Sequence, residues 1–159
     1  MDFEPLSMAT AESVVREYSS MVYRLAYAQV RSRSDADDIF QEVFLRYVRN
    51  TSVFQSEEHR KAWLIRVTIN CAKKHCSSLW RRRTVPFDDR YTFSLPEENG
   101  LDEALRKLKP KYRAVIHLFY YEGYSIREIS KILDVKESTV RTQLTRARGR
   151  LSEMMEGEL

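Results

Sequence analysis

The stretch "YSIREISKILDVKESTVRTQLTRARGRL", residues 124–151, carries the clearest structural signal in the chain. In its first half an isoleucine recurs every third residue, which is typical of a short helix with one apolar face. Ser125 followed by Glu128 predicts a capping box at the start of that helix. Asp134 predicts a tight turn after it, because aspartate tolerates the left-handed backbone conformation. A second helix, over about 137–153, then carries four arginines and no acid between Ser138 and Ser152.

Two short helices joined by a tight turn form a helix-turn-helix, whose second helix fits the major groove of DNA. The apolar positions expected to hold the two helices together are Ile126, Ile129, Ile132, Leu133, Val135, Val140 and Leu144. The outward positions of the second helix are mainly hydroxyl and guanidinium side chains, which can bond phosphates and base edges. A solvated basic face on an ordinary bundle helix is the alternative. The turn residues and the acid-free run occur together, which favours DNA.

The rest of the chain also has helical periodicity, and glycine and proline number only four each. We therefore predict an all-α fold, with two small helical domains joined by a flexible linker and a helix-turn-helix in the second. Ser34 is the expected N-cap of the second helix, with three aspartates close behind it. The predicted earlier helices cover 12–30, 35–49, 57–80, 101–108 and 110–121. Pro110 suits the first turn of the last of these, and Gly123 predicts a left-handed cap after it. The apolar face of 35–49 is expected to extend to Val48. The apolar stripe of 57–80 is a near-heptad of Ala62, Ile65, Ile69, Ala72, Cys76 and Leu79.

Residues 81–100 contain two prolines, mixed charge and no periodicity, which is typical of a linker. The expected division is an amino-terminal domain over 1–83, a linker over 84–100 and a carboxy-terminal domain over 101–159.

Charge is distributed unevenly along a chain whose formal net charge is only +4. Eight basic residues and no acid lie between Arg60 and Phe87, whereas acids collect at Asp35, Asp37, Asp38 and Glu42. Two separate basic segments predict two surfaces that face polyanions, and the acidic segment predicts a third surface with a different partner.

Several classes of protein are not expected. No signal peptide or membrane span is evident, so a cytoplasmic protein without membrane insertion is predicted. The run "CAKKHC" places Cys71 and His75 on one helical face, but His59 and His117 fall on other helices without matching cysteines, so no metal is expected. No third group orients a Cys–His nucleophile and no glycine-rich loop cradles a phosphate, so neither a catalytic residue nor a cofactor is predicted.

Longer motifs resemble a known family. "LKPKYRAVIHLFYYEGYSIREISKILDVKESTVRTQLTRARGRL" is similar to the promoter-reading carboxy-terminal domain of bacterial sigma factors. "DADDIFQEVFLRYVR" followed by "AWLIRVTINCAKKHCSSLWRRR" is similar to their amino-terminal domain. Two domains and a bare linker resemble the small extracytoplasmic-function group. The resemblance covers nearly the whole chain in the expected order.

The resemblance implies three interfaces. One helix face would bind the clamp helices of core RNA polymerase through Asp38, Gln41, Glu42, Leu45 and Arg46. The long helix and the loop before it would capture and open the −10 element of promoter DNA through Phe54, Trp63, Arg66, Asn70, Lys73, Lys74, Arg81, Arg82 and Arg83. For Trp63, a place in the core is an equal alternative. The last helix would read or grip the −35 element through Ser138, Thr139, Arg141, Thr142, Arg146 and Arg148.

The resemblance also implies an anti-sigma factor, often anchored in the membrane, as a further partner. Two features depart from the family pattern. The turn holds Asp134 where glycine is common, and Lys136 stands where a serine often caps the recognition helix, so Ser138 or a shifted start would have to replace it.

Two other functions remain open. A stand-alone helix-turn-helix regulator would bind DNA without polymerase, although it has no need of a second long basic helix at 60–83. A sigma-like protein that occupies polymerase without initiating is the third possibility, and intact basic positions in both domains argue against it.

Overall fold

The computed structural model describes residues 10–51, 53–81 and 100–156, with residues 76–81 described by their backbone alone. Within these ranges the regular elements are all helical, which confirms the predicted all-α fold. The helices are α1 Ala11–Val30, α2 Arg33–Arg49, α3 Glu57–Arg81, α4 Gly100–Lys107, α5 Pro110–Ile116, α6 Ile126–Leu133 and α7 Glu137–Glu156, with a π-helical turn at His117–Tyr121. None of the described helices is both long and apolar enough to cross a membrane.

Helices α1, α2 and α3 pack against one another around an apolar core that includes Val22, Leu25 and Val43. The predicted cap of α2 was wrong. The helix starts at Arg33, and it is Ser32 whose hydroxyl accepts a hydrogen bond from the Asp35 amide at 3.3 Å. Ser34 already lies inside the first turn, where its own side chain cannot cap. Val48, predicted to be apolar core, is 62% exposed because α2 ends one residue later.

The buried face of α3 lies partly away from the predicted one. Ile65 and Ala72 are buried as expected, but Ala62 and Ile69 are only half-buried. Leu64, Thr68 and Cys71 are buried as well. The helix packs against α1 and α2 on one side and against α6 on another. Its buried stripe is therefore wider than the narrow stripe expected from a seven-residue repeat. Cys76 and Leu79, also expected there, have side chains outside the described residues.

The second half follows its local sequence signals closely. Pro110 occupies the first turn of α5, Ser125 and Glu128 form both bonds of the capping box, and Asp134 has a left-handed φ of 54°. Gly123 has a φ of 75°, which confirms the predicted left-handed cap. Val135 is an exception: it was expected to join the two helices, but it keeps 37% of its surface in solvent.

The predicted helix over 110–121 is interrupted by the π-helical turn. There the Glu122 amide donates to the His117 carbonyl at 3.0 Å, five residues back. The Tyr124 amide then donates to the Leu118 carbonyl at 3.0 Å, a connection that the left-handed Gly123 makes possible. The extra residue per turn directs both His117 and Glu122 towards α1.

The two halves of the chain pack together, and their buried side chains form one continuous cluster. Helix α1 contacts α5, and α3 contacts α6. Gln29 of α1 is 2% exposed at this junction. With its amide oriented to suit its neighbours, it donates to the Pro110 carbonyl at 3.2 Å and accepts from the Ala114 amide at 3.0 Å.

Ion pairs complete the junction. The Arg24 guanidinium donates to both oxygens of Glu122, at 2.9 and 3.1 Å, and Arg31 donates to Asp102 at 2.8 Å. The Glu122 side chain is only 10% exposed. Burial opposes its ionisation, but the Arg24 guanidinium and His117 hold the pKa of Glu122 below its usual value. These contacts join α1 to the segments on either side of α5.

His117 is the acid-sensitive group of this junction. Its Nε2 lies 3.2 Å from Glu122 Oε1, and its ring stacks on Tyr121. Burial lowers the pKa of His117, with the Arg24 and Arg31 charges acting in the same direction and Glu122 opposing them. The folded protein therefore holds this imidazole neutral at neutral pH.

We expect the free energy of unfolding to fall as the pH drops below about 6.5, the ordinary pKa of histidine, because the unfolded chain then binds a proton that folded His117 does not. The loss can reach about 1.4 kcal/mol per pH unit, and it continues until the lowered pKa of the folded state is reached. Urea unfolding at pH 7.5, 6.5 and 5.5 measures it.

His117→Gln removes the titrating group and should flatten this pH dependence. The matched control is His59→Gln, whose ring lies on the exposed start of α3. An unchanged slope in His117→Gln would show that another group governs the acid sensitivity.

Candidate nucleic-acid and polymerase interfaces

The outer side of α3 carries the residues predicted to meet the −10 element. At about 100° per residue, positions 63, 66, 70, 73 and 74 fall within about 100° of the helix circumference. Asn70, Lys73 and Lys74 are exposed, and Arg66 and Trp63 are half-buried at the edge of the stripe. One helix side therefore presents an amide among cations. The side chain of Arg81 and the whole of Arg82 and Arg83 lie outside the described residues.

Phe54 sits in an aromatic cluster at the end of the loop before α3. It is 6% exposed, its ring lies parallel to Tyr47 at 6.0 Å, and it meets the Trp63 ring edge-on at 5.7 Å. His59 packs edge-on against it at 5.4 Å. In this arrangement Phe54 anchors the loop to α2 and α3, and Trp63 combines a packing role with an exposed edge.

One member of the acid-free basic segment faces inward. Arg60 is 1% exposed, pairs with Glu57, and lies over the Phe54 ring at 5.6 Å. Glu57 also accepts a hydrogen bond from the Tyr18 hydroxyl at 2.6 Å. Burial and this bond to a carboxylate raise the pKa of Tyr18 well above its usual range. Glu57 thus links α3 to Tyr18 of α1, and the basic face of α3 is formed by the cations further along the helix.

The outer side of α7 is exposed over the residues predicted to meet the −35 element. Arg141, Thr142 and Arg146 are solvent-facing, whereas Val140, Leu144 and Ala147 are buried against α5 and α6. Thr139 is half-buried. Ser138 is the second residue of the helix, and its carbonyl accepts from the Thr142 hydroxyl at 2.9 Å. The helix starts directly after Lys136, so Ser138 does not replace the missing cap.

Arg148 is held in place by aromatic residues. Its Nε donates to the Tyr120 hydroxyl at 2.6 Å, and its guanidinium lies 5.5 Å from the ring centres of both Phe119 and Tyr120. Sequence reasoning did not find this arrangement, because Phe119 and Tyr120 belong to the π-helical turn, 29 and 28 residues before Arg148. Two adjacent aromatic residues before a glycine were the available signal. The contact presents Arg148 as a fixed cation at the edge of the α7 face.

The outer side of α2 carries the predicted polymerase contacts at i, i+3, i+4, i+7 and i+8, which is one helix face. Asp38, Gln41 and Leu45 are exposed, and Leu45 keeps 44% of its surface in solvent. Glu42 and Arg46 are half-buried and pair with each other, with Arg46 Nε donating to Glu42 Oε1 at 2.8 Å. This hydrogen bond lowers the pKa of Glu42. The face thus has an acidic start at Asp38, an exposed leucine near its other end and a neutralised pair.

Cys71 lies beneath the inner edge of this face. It is a free cysteine and is buried. Burial raises the pKa of its thiol, while the nearby Arg46 opposes that effect. The neutral thiol acts as a small apolar group between α2 and α3.

Both halves of the chain match models of one family. Residues 14–82 match the model described as Sigma-70 region 2, and residues 98–151 match the model described as Sigma-70, region 4. The chain belongs to the sigma-70 family of RNA polymerase sigma factors. The sigma factor is accordingly a transcription initiation factor that works with core RNA polymerase on promoter DNA.

Named relatives place the sigma factor in the extracytoplasmic-function (ECF) group, as the sequence predicted. It is 28% identical over 149 residues to the ECF sigma factor SigM of Mycobacterium tuberculosis, covering 91% of this chain and 76% of SigM. It is 31% identical over 163 residues to the ECF sigma factor SigE of Mycolicibacterium smegmatis, covering 94% of this chain and 63% of SigE.

Solved structures share its fold. The sigma factor RpoE of Bartonella quintana, solved in complex with the anti-sigma factor NepR, superposes with a TM-score of 0.71 at 19% identity, covering 94% of this chain and 98% of RpoE. CnrH, solved in complex with the cytosolic domain of CnrY, gives a TM-score of 0.65 at 20% identity, covering 94% of this chain and 89% of CnrH.

We expect Phe54→Ala to lower the free energy of unfolding of the sigma factor by about 3 kcal/mol, since it removes a buried ring from a packed cluster. Thermal unfolding followed by circular dichroism measures the change. Val53→Ala is the matched control: Val53 is adjacent and exposed, so its loss should matter little. Equal effects of the two substitutions would contradict the anchoring role of Phe54.

Proposed function

We propose that this ECF sigma factor contacts its partners through three exposed helix faces, one each on α2, α3 and α7. The observation that carries the proposal is that each face exposes polar or charged side chains, while the opposite side of the same helix is buried in the apolar core. The proposed units are those expected from the sequence, 1–83 and 101–159, with 84–100 between them.

The α2 face suits a basic protein partner that also offers an apolar contact. Asp38 and Gln41 supply hydrogen-bond acceptors in solvent, and Leu45 supplies apolar surface beside them. Glu42 and Arg46 are already paired at 2.8 Å, so their charges are largely satisfied before docking. The clamp helices of core RNA polymerase are the partner we assign to this face.

The α3 face suits a separated DNA strand. Arg66, Lys73 and Lys74 lie where they can hold the phosphate backbone, and Asn70 lies between them with an amide that can pair with a base edge. Opening a duplex without a nucleotide-hydrolysing motor requires that flipped bases be captured, and the Phe54–Trp63 cluster supports the loop beside this stripe. We assign this face to the −10 element.

The α7 face suits duplex DNA. Arg141, Thr142 and Arg146 project from one side of a helix that is held against α6 through Val140 and Leu144, as in helix-turn-helix domains. The Phe119–Tyr120 pair fixes Arg148 at the edge of the same side, so this cation can hold a phosphate with little loss of side-chain freedom. We assign the face to the −35 element.

The packed arrangement of the two halves is, we infer, that of the sigma factor away from promoter DNA. The −35 and −10 elements are about 25 base pairs apart, or about 85 Å at 3.4 Å per pair. A compact chain of this length is only about 40 Å across. The halves must therefore separate before both faces can engage one promoter, and the 18 residues 82–99 can span about 60 Å.

An anti-sigma factor is the regulator we propose for this chain, and the cytoplasm its place of action. The likeness to RpoE, which was solved with the anti-sigma factor NepR, supports the idea. The junction between the halves offers a physical means of control, because a partner that stabilises the packed arrangement would keep the DNA-facing sides of α3 and α7 too close together. Such a partner could itself be anchored in the membrane.

Run-off transcription tests the proposed function. Purified core polymerase is supplied with a library of promoters, with and without this chain. Start sites that depend on the chain and lose their signal when either promoter element is scrambled would support it. A chain that shifts duplex DNA alone but ignores core polymerase would instead be a stand-alone regulator. A chain that joins core polymerase and starts transcription nowhere would be a decoy.

We expect Arg141→Ala to weaken promoter binding by the holoenzyme by about 1–3 kcal/mol, or roughly 5- to 150-fold, through loss of a bidentate contact to guanine. Competition binding with intact and −35-substituted promoters measures the loss. Arg16→Ala is the matched control, since Arg16 is an exposed arginine on α1, away from the three faces. A loss of the same size on every −35 sequence would mean that Arg141 holds a phosphate rather than a base.

A further inference from the structure

Three possible metal ligands converge where the start of α2 meets the later part of α3. Asp35 and Asp38 are one turn apart on α2, and His75 faces them from α3. His75 Nε2 lies 2.8 Å from Asp35 Oδ1. One ligand atom from each of the three side chains lies within 4.8 Å of the other two.

The site is accessible to a solvated ion. The Asp35 and His75 side chains are 13% and 26% exposed, and Asp38 faces solvent. A recess of about 450 Å³ opens beside them between the two helices. Its lining includes Asp38 and His75 together with Ile39, Glu42, Cys71 and two cations, Arg46 and Lys74. Arg46 is already paired with Glu42. An ion can therefore enter from solvent and still find one largely buried carboxylate.

A hydrogen bond between His75 and Asp35 explains only part of this arrangement. It accounts for two of the three side chains and ties α2 to α3. The Asp38 carboxylate lies in the same cluster, where two like charges one turn apart destabilise the helix unless something compensates them. The helix N-terminus offers partial compensation. A divalent cation held by all three side chains would neutralise both carboxylates.

The one nitrogen and two carboxylate ligands indicate which metal ions the site would bind. Zinc binds imidazole nitrogen and carboxylate oxygen at about 2.0–2.2 Å, so three ligands around it are about 3–4 Å apart. Ligand atoms that already lie within 4.8 Å of one another need only small side-chain shifts to reach that spacing. Imidazole is a poor ligand for Mg²⁺ and Ca²⁺ and a good one for first-row transition metals.

We propose that Asp35, Asp38 and His75 bind one divalent first-row transition-metal ion, such as Zn²⁺, and that the bound ion weakens docking to core polymerase by occupying Asp38. The proposed effect of the ion on docking rests on the proposed function, in which Asp38 belongs to the polymerase-binding face of α2. Three protein ligands leave coordination positions for water, which suits an exchangeable, regulatory ion more than a structural one.

Calorimetric titration of the full chain with Zn²⁺ tests the site without polymerase. We expect one ion per chain, bound at least about tenfold more weakly by His75→Gln and by Asp38→Asn. His59→Gln is the matched control and should bind as the parent does. Asp38 is exposed, so its variant should fold normally, which circular dichroism verifies. Undiminished binding by both ligand variants would overturn the site.

Cobalt substitution gives a second, independent test. A nitrogen and oxygen site should show Co²⁺ ligand-field absorption without the strong near-ultraviolet band of a thiolate ligand. Loss of the visible absorption in His75→Gln would support the assignment. A strong thiolate band would overturn it, because the ion would then be held by a cysteine.

Fluorescence anisotropy of the labelled chain with core polymerase tests whether the bound ion weakens docking. Zinc-loaded parent chain should bind core polymerase on the order of tenfold more weakly than the metal-free chain, which is the value of one charge-assisted hydrogen bond. His75→Gln should show no such difference. Equal effects of zinc on the parent chain and on His75→Gln would overturn the proposed effect of the ion on docking. If the metal-free parent chain failed to bind core polymerase, both the proposed effect of the ion and the proposed function would be overturned. The zinc titration tests the metal site independently of polymerase.

Discussion

Glu122 is a carboxylate with only a tenth of its side chain in solvent, and the packing of the two halves depends on its being paired. Arg24 supplies two hydrogen bonds from α1, and His117 supplies a third contact from the π-helical turn. Since Arg24 is itself half in solvent, the contact is screened and partly replaceable by water. It can orient the halves without holding them permanently, as the proposed separation of the halves on a promoter requires.

The π-helical turn contacts both α1 and α7. On one side His117 and Glu122 reach α1, and on the other Phe119 and Tyr120 hold Arg148 of α7. A regular α-helix would direct these four side chains differently around its axis. One local irregularity therefore links the junction between the halves to the helix assigned to the −35 element.

Whether a charged side chain of this protein is buried or exposed depends on the side of the helix that it occupies, and not on the charged stretch of sequence to which it belongs. Arg60 belongs to the acid-free run yet pairs internally with Glu57, while Lys73 and Lys74 of the same helix face solvent. On α2, Asp35 turns inward to His75 and Asp38 turns outward. The side of the helix that a charge occupies thus decides whether it stabilises the fold or faces solvent. Asp38 belongs both to the proposed metal site and to the proposed polymerase-binding face.

The sequence by itself determined the all-α fold, the helix-turn-helix and the family, because capping boxes, left-handed turns and amphipathic periods act within a few residues. Ser125 with Glu128, Asp134 and Gly123 were all predicted in this way. Only the tertiary structure decided that Phe54 is buried, that Leu64 and Thr68 join the core of α3, and that Arg24 meets Glu122. Each of these depends on residues far apart in the chain, whose proximity is set by how helices pack and not by any local propensity.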